Sequence, residues 1–266
     1  MKLNTNSNSY IIIYSAILVV VVAFLLAFIF KALKPMQDAN VALDKKKQIL
    51  ASLNIRNLND REAEAQYKNV VRADYIIQKD ECDNGPENFD EYDGESAGFK
   101  LGKADYKAGK LVVYFCEVAE GQKLVIPVYG MGLWGDIWGY VALNQDGTVF
   151  GAYFDHDSET AGLGAEIKDD VSWQEKFIGK KIWDDKGNVV LSIVKKVEDP
   201  TTQVDAVTGA TLTSNGVDAM LKEGLKNVPS TSASCCSEDD KDCCKAETDS
   251  CCTNKDTENE TKAKED

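Results

Sequence analysis

Residues Lys123 to Phe154 read KLVIPVYGMGLWGDIWGYVALNQDGTVFGAYF, and they set the architecture. Three runs rich in β-branched and aromatic residues, Lys123–Tyr129, Ile137–Leu143 and Val149–Phe154, have the composition of strands. Asn144-Gln145-Asp146-Gly147 joins the last two as a short hairpin connector, with glycine where a positive φ is wanted. Upstream, Leu111–Cys116 adds a strand of the same kind. Downstream, Lys180–Trp183 and Val189–Val197 form a second pair around Asp185-Lys186-Gly187-Asn188. Helical patterns cover Ser172–Phe177 and Asn215–Lys226, where Val217, Leu221 and Leu225 share a face. The expected unit is an α+β domain over residues 60–228, with a mainly antiparallel sheet and flanking helices.

Ahead of it, after a short tail over residues 1–9, Tyr10–Phe30 runs YIIIYSAILVVVVAFLLAFIF, 21 residues without a charge. At about 1.5 Å per helical residue this crosses the roughly 30 Å hydrocarbon core of a bilayer. It exceeds a signal-peptide core and continues into Lys31, Leu33 and Lys34, so a single uncleaved transmembrane helix is expected over residues 10–30. It holds no carboxylate of the kind that lines an intramembrane ion path. Leu43, Ile49, Leu50, Leu53 and Leu58 then recur among charges as in an amphipathic helix. Residues 31–59 read either as a stalk or as a helix packed on its own domain. Lys2 precedes the span, whereas Lys31, Lys34 and Lys45 to Lys47 follow it. By the positive-inside rule alone the bulk of the chain would be cytoplasmic.

Among 266 residues, 30 Lys plus Arg face 44 Asp plus Glu, a net charge of −14. Nucleic acid is thereby excluded as a partner, since its binders carry basic patches. One histidine, His156, rules out a multi-histidine metal site and weakens hydrolase readings, because any Ser/His/Asp triad would depend on it. After Pro229, residues 229–266 become an acidic segment poor in apolar residues, expected to be disordered. Six of the eight cysteines lie there, as Cys235-Cys236, Cys243-Cys244 and Cys251-Cys252. These neighbouring pairs lack the spacing of structural zinc sites. A membrane-tethered metal- or redox-buffering role for the tail is the alternative from a different functional class.

Asp205-Ala206-Val207-Thr208-Gly209-Ala210-Thr211-Leu212-Thr213 runs into Ser214-Asn215-Gly216 and the last helix. A helix start with small residues around it suits a phosphate; ordinary capping by Thr213 or Ser214 would also account for the hydroxyls. The whole string resembles the D-x-x-[ST]-G-A-[ST]-x-T flavinylation motif of the FMN-binding domain family. Its six specified positions would match by accident on the order of once in ten thousand such chains. His156-Asp157-Ser158-Glu159-Thr160-Ala161-Gly162-Leu163-Gly164 resembles that family's H-x-E-T-P-G-L-G loop, with one extra residue after His156 and Ala161 in place of proline. Gly130-Met131-Gly132-Leu133-Trp134-Gly135 and Leu43-Asp44-Lys45-Lys46-Lys47-Gln48-Ile49-Leu50 resemble one branch, the C subunits of sodium-translocating NADH:quinone oxidoreductases. The G subunits of ion-translocating ferredoxin:NAD oxidoreductases, the alternative within the class, normally lack the G-L-W string. The cysteine tail matches neither.

The resemblance implies a covalent FMN, esterified through its phosphate to Thr213, that relays electrons from NADH towards quinone while partner subunits export sodium. It implies that Thr208, Gly209, Ala210 and Thr211 shape the phosphate turn, that Asp205 orients the turn or assists attachment, and that Glu159, Thr160, Leu163 and Gly164 lie by the isoalloxazine; Asp205 reads equally well as a turn-capping carboxylate. Leu163 or Trp134 would supply apolar cover; Trp134 reads equally well as a core aromatic. No metal ligand is implied, and the redox chemistry belongs to the cofactor. Implied partners are the other subunits of a membrane complex, with NADH and quinone bound there, membrane lipid, and a flavin transferase. The implied location is the bacterial inner membrane, with the FMN domain on the periplasmic side despite the lysine count. Cys82 and Cys116 would then meet an oxidising compartment, as a pair or as two buried thiols.

Overall fold

The computed structural model describes residues 8–78, 106, 110–226 and 228. Cys82 and the cysteine-rich tail lie outside them. Helix α1, Asn8–Ser52, joins the expected span and the amphipathic segment into one element that continues through Pro35. Its apolar side chains from Ile11 to Phe30 face outward, and it is long and apolar enough to cross a membrane. Its last turn behaves differently, with Ile49 and Leu50 fully buried against the domain. Asn54, at φ 63°, ends the helix in the left-handed region. Helix α2, Asp60–Val70, opens with a capping box in which Asn59 and Glu62 bond each other's backbone.

Strands β1 (Val71–Gln78), β2 (Lys110–Val118), β3 (Gly121–Met131), β4 (Asp136–Leu143) and β5 (Val149–His156) form one antiparallel sheet in sequence order. The four sequence-derived strands are all present; β1 is an addition. The β2–β3 register ends at Tyr114↔Val125. Pro127, two residues on, has no N–H to offer that ladder. The β4–β5 hairpin turns as expected, with Gly147 at φ 78° and Asp146 accepting from Thr148 N–H.

Two cores lie on opposite faces of the sheet, following the alternation of side chains along a strand. One joins Ile49, Leu50, Tyr67, Tyr114, Val125 and Tyr140 beneath α1 and α2. The other joins Ile126, Val128, Val141 and Phe154 to helix α5, Thr211–Leu225, through Val217, Met220 and Leu221. Short helices α3 (Glu166–Asp169) and α4 (Val171–Glu175) close that second core. There Phe154, Trp173 and Phe177 pack with ring centroids 5.1 to 5.7 Å apart. With both faces covered, the strands lack a simple apolar-polar alternation.

The second strand pair differs from expectation. Lys180–Trp183 and Val189–Val197 meet through one isolated bridge, Trp183↔Val189. The regular pairing is parallel instead, between β6 (Ser192–Val194) and β7 (Gln203–Asp205). The expected turn is real, with Gly187 N–H donating to the Asp184 carbonyl. This small sheet delivers the chain from Asp205 to the start of α5, beside the end of β3.

Candidate functional site

The turn from Ala206 to Ala210 is tied down before the helix begins. Ala206 N–H donates to the Val194 carbonyl at 2.8 Å, and Val207 N–H donates to Ser214 Oγ at 3.1 Å. Gly209 stands at φ 78°, a conformation that a side chain would strain. α5 therefore starts at Thr211, four residues before the expected Asn215. Capping is not what the hydroxyls do here: the N-cap is Ala210, which offers no side-chain acceptor to the first-turn N–H groups. Ser214 holds the turn, and Thr213 points elsewhere.

Thr213 is 1% exposed, and its hydroxyl donates to Glu159 Oε2 at 2.5 Å. Glu159 is itself 8% exposed. Its Oε1 accepts from Trp134 N–H at 2.8 Å, and its own N–H donates to His156 Nδ1 at 3.2 Å. Burial pushes this carboxyl up, yet the Thr213 hydroxyl and the N–H groups of Trp134, Gly135 and Leu133 hold it below the ordinary glutamate range. Two glycines make the slot. A Cβ on Gly132 would collide with Glu159 Oε1, and one on Gly164 would strike Glu159 Oε2 and stand 2.6 Å from Thr213 Oγ1.

Exposed apolar side chains stand near this buried pair among polar ones. Met131, Leu133 and Leu163 are exposed, with Leu212 at 60% and Trp134 at 67%. Trp134 is thus a loop-tip residue and not a core aromatic. Leu163 closes on the turn from Ala206 to Ala210, where a Cβ on Gly209 would lie 2.9 Å from its Cδ2. Thr160 shapes its loop through its carbonyl, which accepts from Leu163 and Ala165 N–H. Thr208 and Thr211 are exposed on the same turn, and Ala210 is buried beneath it.

Of the residues singled out from sequence, Glu159, Leu163, Gly164, Gly209 and Thr213 come together. Asp205 does not: its carboxylate pairs with Lys176 Nζ at 2.8 Å, and its carbonyl accepts from Trp173 Nε1. Gly132 and the Trp134 backbone escaped the sequence reading as site elements. So did Gln174, buried in α4, whose Nε2 donates to the Ile167 carbonyl and whose Oε1 accepts from Arg56. It anchors the far end of the 159–167 loop.

Residues 132–226 match the family model described as "FMN-binding domain". The C subunit of the Na(+)-translocating NADH-quinone reductase of Haemophilus ducreyi is 34% identical over 236 residues, covering 83% of this chain and 91% of that one. The protein of the same name from Pseudomonas aeruginosa is 30% identical, covering 82% and 91%. Among solved structures, the C subunit of the Na(+)-translocating NADH-quinone reductase of Parabacteroides distasonis superposes with a TM-score of 0.65 at 30% identity, covering 76% of this chain and 98% of that one. The residues here fit a flavin mononucleotide. A small-residue turn at the start of a 15-residue helix suits its phosphate, and the exposed rim of Trp134, Leu163 and Leu212 suits its apolar ring system.

Proposed function

The chain belongs to the family of Na(+)-translocating NADH-quinone reductase C subunits, and from that premise we infer that it holds FMN as a phosphate ester on Thr213. FMN is its cofactor, and it is an FMN-binding subunit of the reductase complex. In this reading the chain is a one-flavin electron carrier on the path from NADH towards quinone, with the remaining subunits as partners. The bound flavin supplies the redox chemistry; the chain attaches, orients and shields it.

The observation that carries this reading is the placement of Thr213. It is the third residue of α5, within the D-x-x-T-G-A-T-x-T string, and its hydroxyl is held in place by Glu159. Thr208, Gly209, Ala210 and Thr211 form the phosphate turn around it, with Asp205 anchoring the entry through Lys176. Thr160 and Gly164 set the loop, which presents Leu163 and Glu159 to the flavin. Helix α1 is the single-pass anchor, in contact with lipid over residues 10–30, and the FMN domain over 60–228 stands on the periplasmic side of a bacterial inner membrane. Attachment there requires a separate flavin transferase.

Co-expression with a flavin transferase, followed by in-gel fluorescence of the denatured chain, tests the proposal. Wild type is expected to fluoresce and Thr213→Ala to be dark. Equal fluorescence in both would move the attachment elsewhere, and none in either would end the covalent reading.

A further inference from the structure

A threonine hydroxyl is a weak nucleophile and needs an adjacent base to attack phosphorus. Glu159 is placed to be that base. Its Oε2 lies 2.5 Å from Thr213 Oγ1, at the short end of the range for a hydroxyl on a carboxylate. The remaining contacts fix its aim: Trp134 N–H holds Oε1, and His156 Nδ1 accepts from the Glu159 backbone. Nothing larger than glycine fits at 132 or 164 without striking the carboxylate. On the 164 side the cover over Oγ1 is a bare glycine, and with Thr213 1% exposed that cover must shift before phosphorus reaches the oxygen.

We propose that Glu159 is the chain's own proton acceptor in the reaction that loads Thr213, so that this subunit brings the base for its own modification to the transferase. The inference rests on Thr213 being the attachment residue. In the step, the Thr213 O–H bond breaks and its proton passes to Glu159 Oε2. Oγ1 bonds to the phosphorus on the FMN side of a flavin adenine dinucleotide, the pyrophosphate P–O bond breaks, and AMP leaves with the electron pair. The flavin is neither oxidised nor reduced. Each chain is loaded once, so the acceptor need not be regenerated. The proton it gains neutralises Glu159, so the new phosphodiester does not stand beside a second negative charge.

The test follows the loading of full-length chain by transferase and flavin adenine dinucleotide, read as in-gel fluorescence and as the gain in intact mass against time. Glu159→Gln keeps the shape and removes the base; its initial rate should fall at least about 100-fold, the usual scale of general-base assistance. Its melting temperature and near-UV circular dichroism report whether the fold is kept. Glu159→Ala with added formate supplies a diffusible carboxylate, and recovery of loading there is a response that a purely structural role would not give. Loading of Glu159→Gln within a few-fold of wild type, or no response of Glu159→Ala to formate, would overturn the proposal. Thr213→Ala is run alongside: if it takes up flavin, the attachment reading fails. If it stays dark while Glu159→Gln loads normally, only the role of Glu159 fails.

Discussion

Five described carboxylates ionise more readily than their type, Asp146, Glu159, Asp170, Asp184 and Asp199, each held by hydrogen-bond donors. Asp199 accepts from Thr201 N–H and from the Thr201 and Thr202 hydroxyls, which hold it at about 2, below its usual 3.8. Glu159 is held below its usual 4.5 by the contacts already described. A group whose folded value is depressed contributes stability that is complete above its unfolded value and lost as pH falls through the folded one. The urea midpoint of the domain should therefore decline as pH drops from about 4.5 towards 2. Glu159→Gln should flatten the upper part of that decline, and Asp199→Asn the lower. A midpoint that stays level over this window in wild type would contradict both assignments. At this scale the sequence was readable where the motif is contiguous, as from Asp205 to Thr213. It was silent on the hydrogen bond between Thr213 and Glu159, 54 positions apart, because no local pattern encodes which loop a fold will lay against a helix start.

Elements were legible where turn residues punctuate them. The β4–β5 hairpin is bracketed by Asn144 and Gly147, and its strands emerged close to their true limits. β1 was missed because α2 passes straight into it at Val70–Val71, with no glycine or proline to mark the change of period. α5 begins early because Thr213 and Ser214, residues that read as caps, direct their hydroxyls to Glu159 and to the Val207 N–H. Lys180–Val197 has strand-like composition because Ile182, Leu191 and Ile193 are needed in the core; its hairpin around Gly187 pairs only briefly, at Trp183↔Val189, before Ser192–Val194 pairs with β7. The capping box of α2 gives a prediction at this scale. Asn59→Ala removes the acceptor of Glu62 N–H and should cost about 1 kcal/mol, seen as a lower urea midpoint with an unchanged slope. No change would mean that α2 is held by the packing of Ala63, Tyr67 and Val70 alone.

Among the described residues the main element is a five-stranded antiparallel sheet covered on both faces, with Thr213 at the sheet end where β3 stops and α5 starts. Hydropathy alone announced the apolar span. It did not reveal that α1 continues into the domain core, where Gln48 accepts from Trp138 Nε1 and donates to the buried Asp155. Asp155 is also paired with Lys168 on α3, at 2.9 Å. Side chains 90 or more positions apart meet here, and only the assembled fold shows it. The helix that carries the apolar span is thus locked into the same body that carries the flavin site. Its 45 residues make a rod of about 67 Å, and a rod transmits torsion. Each residue added between Gln37 and Asn40 would rotate everything beyond by about 100° and raise it by about 1.5 Å. Two added residues turn the flavin site roughly 200° with a rise of about 3 Å; four turn it only about 40° but raise it about 6 Å. If the compass bearing of the site around the membrane normal governs electron hand-over, the two-residue insertion should impair NADH-driven quinone reduction by the complex more than the four-residue one, with flavin content equal in both. The opposite order would mean that height governs it. The anchor would then act as a pointer as well as a tether.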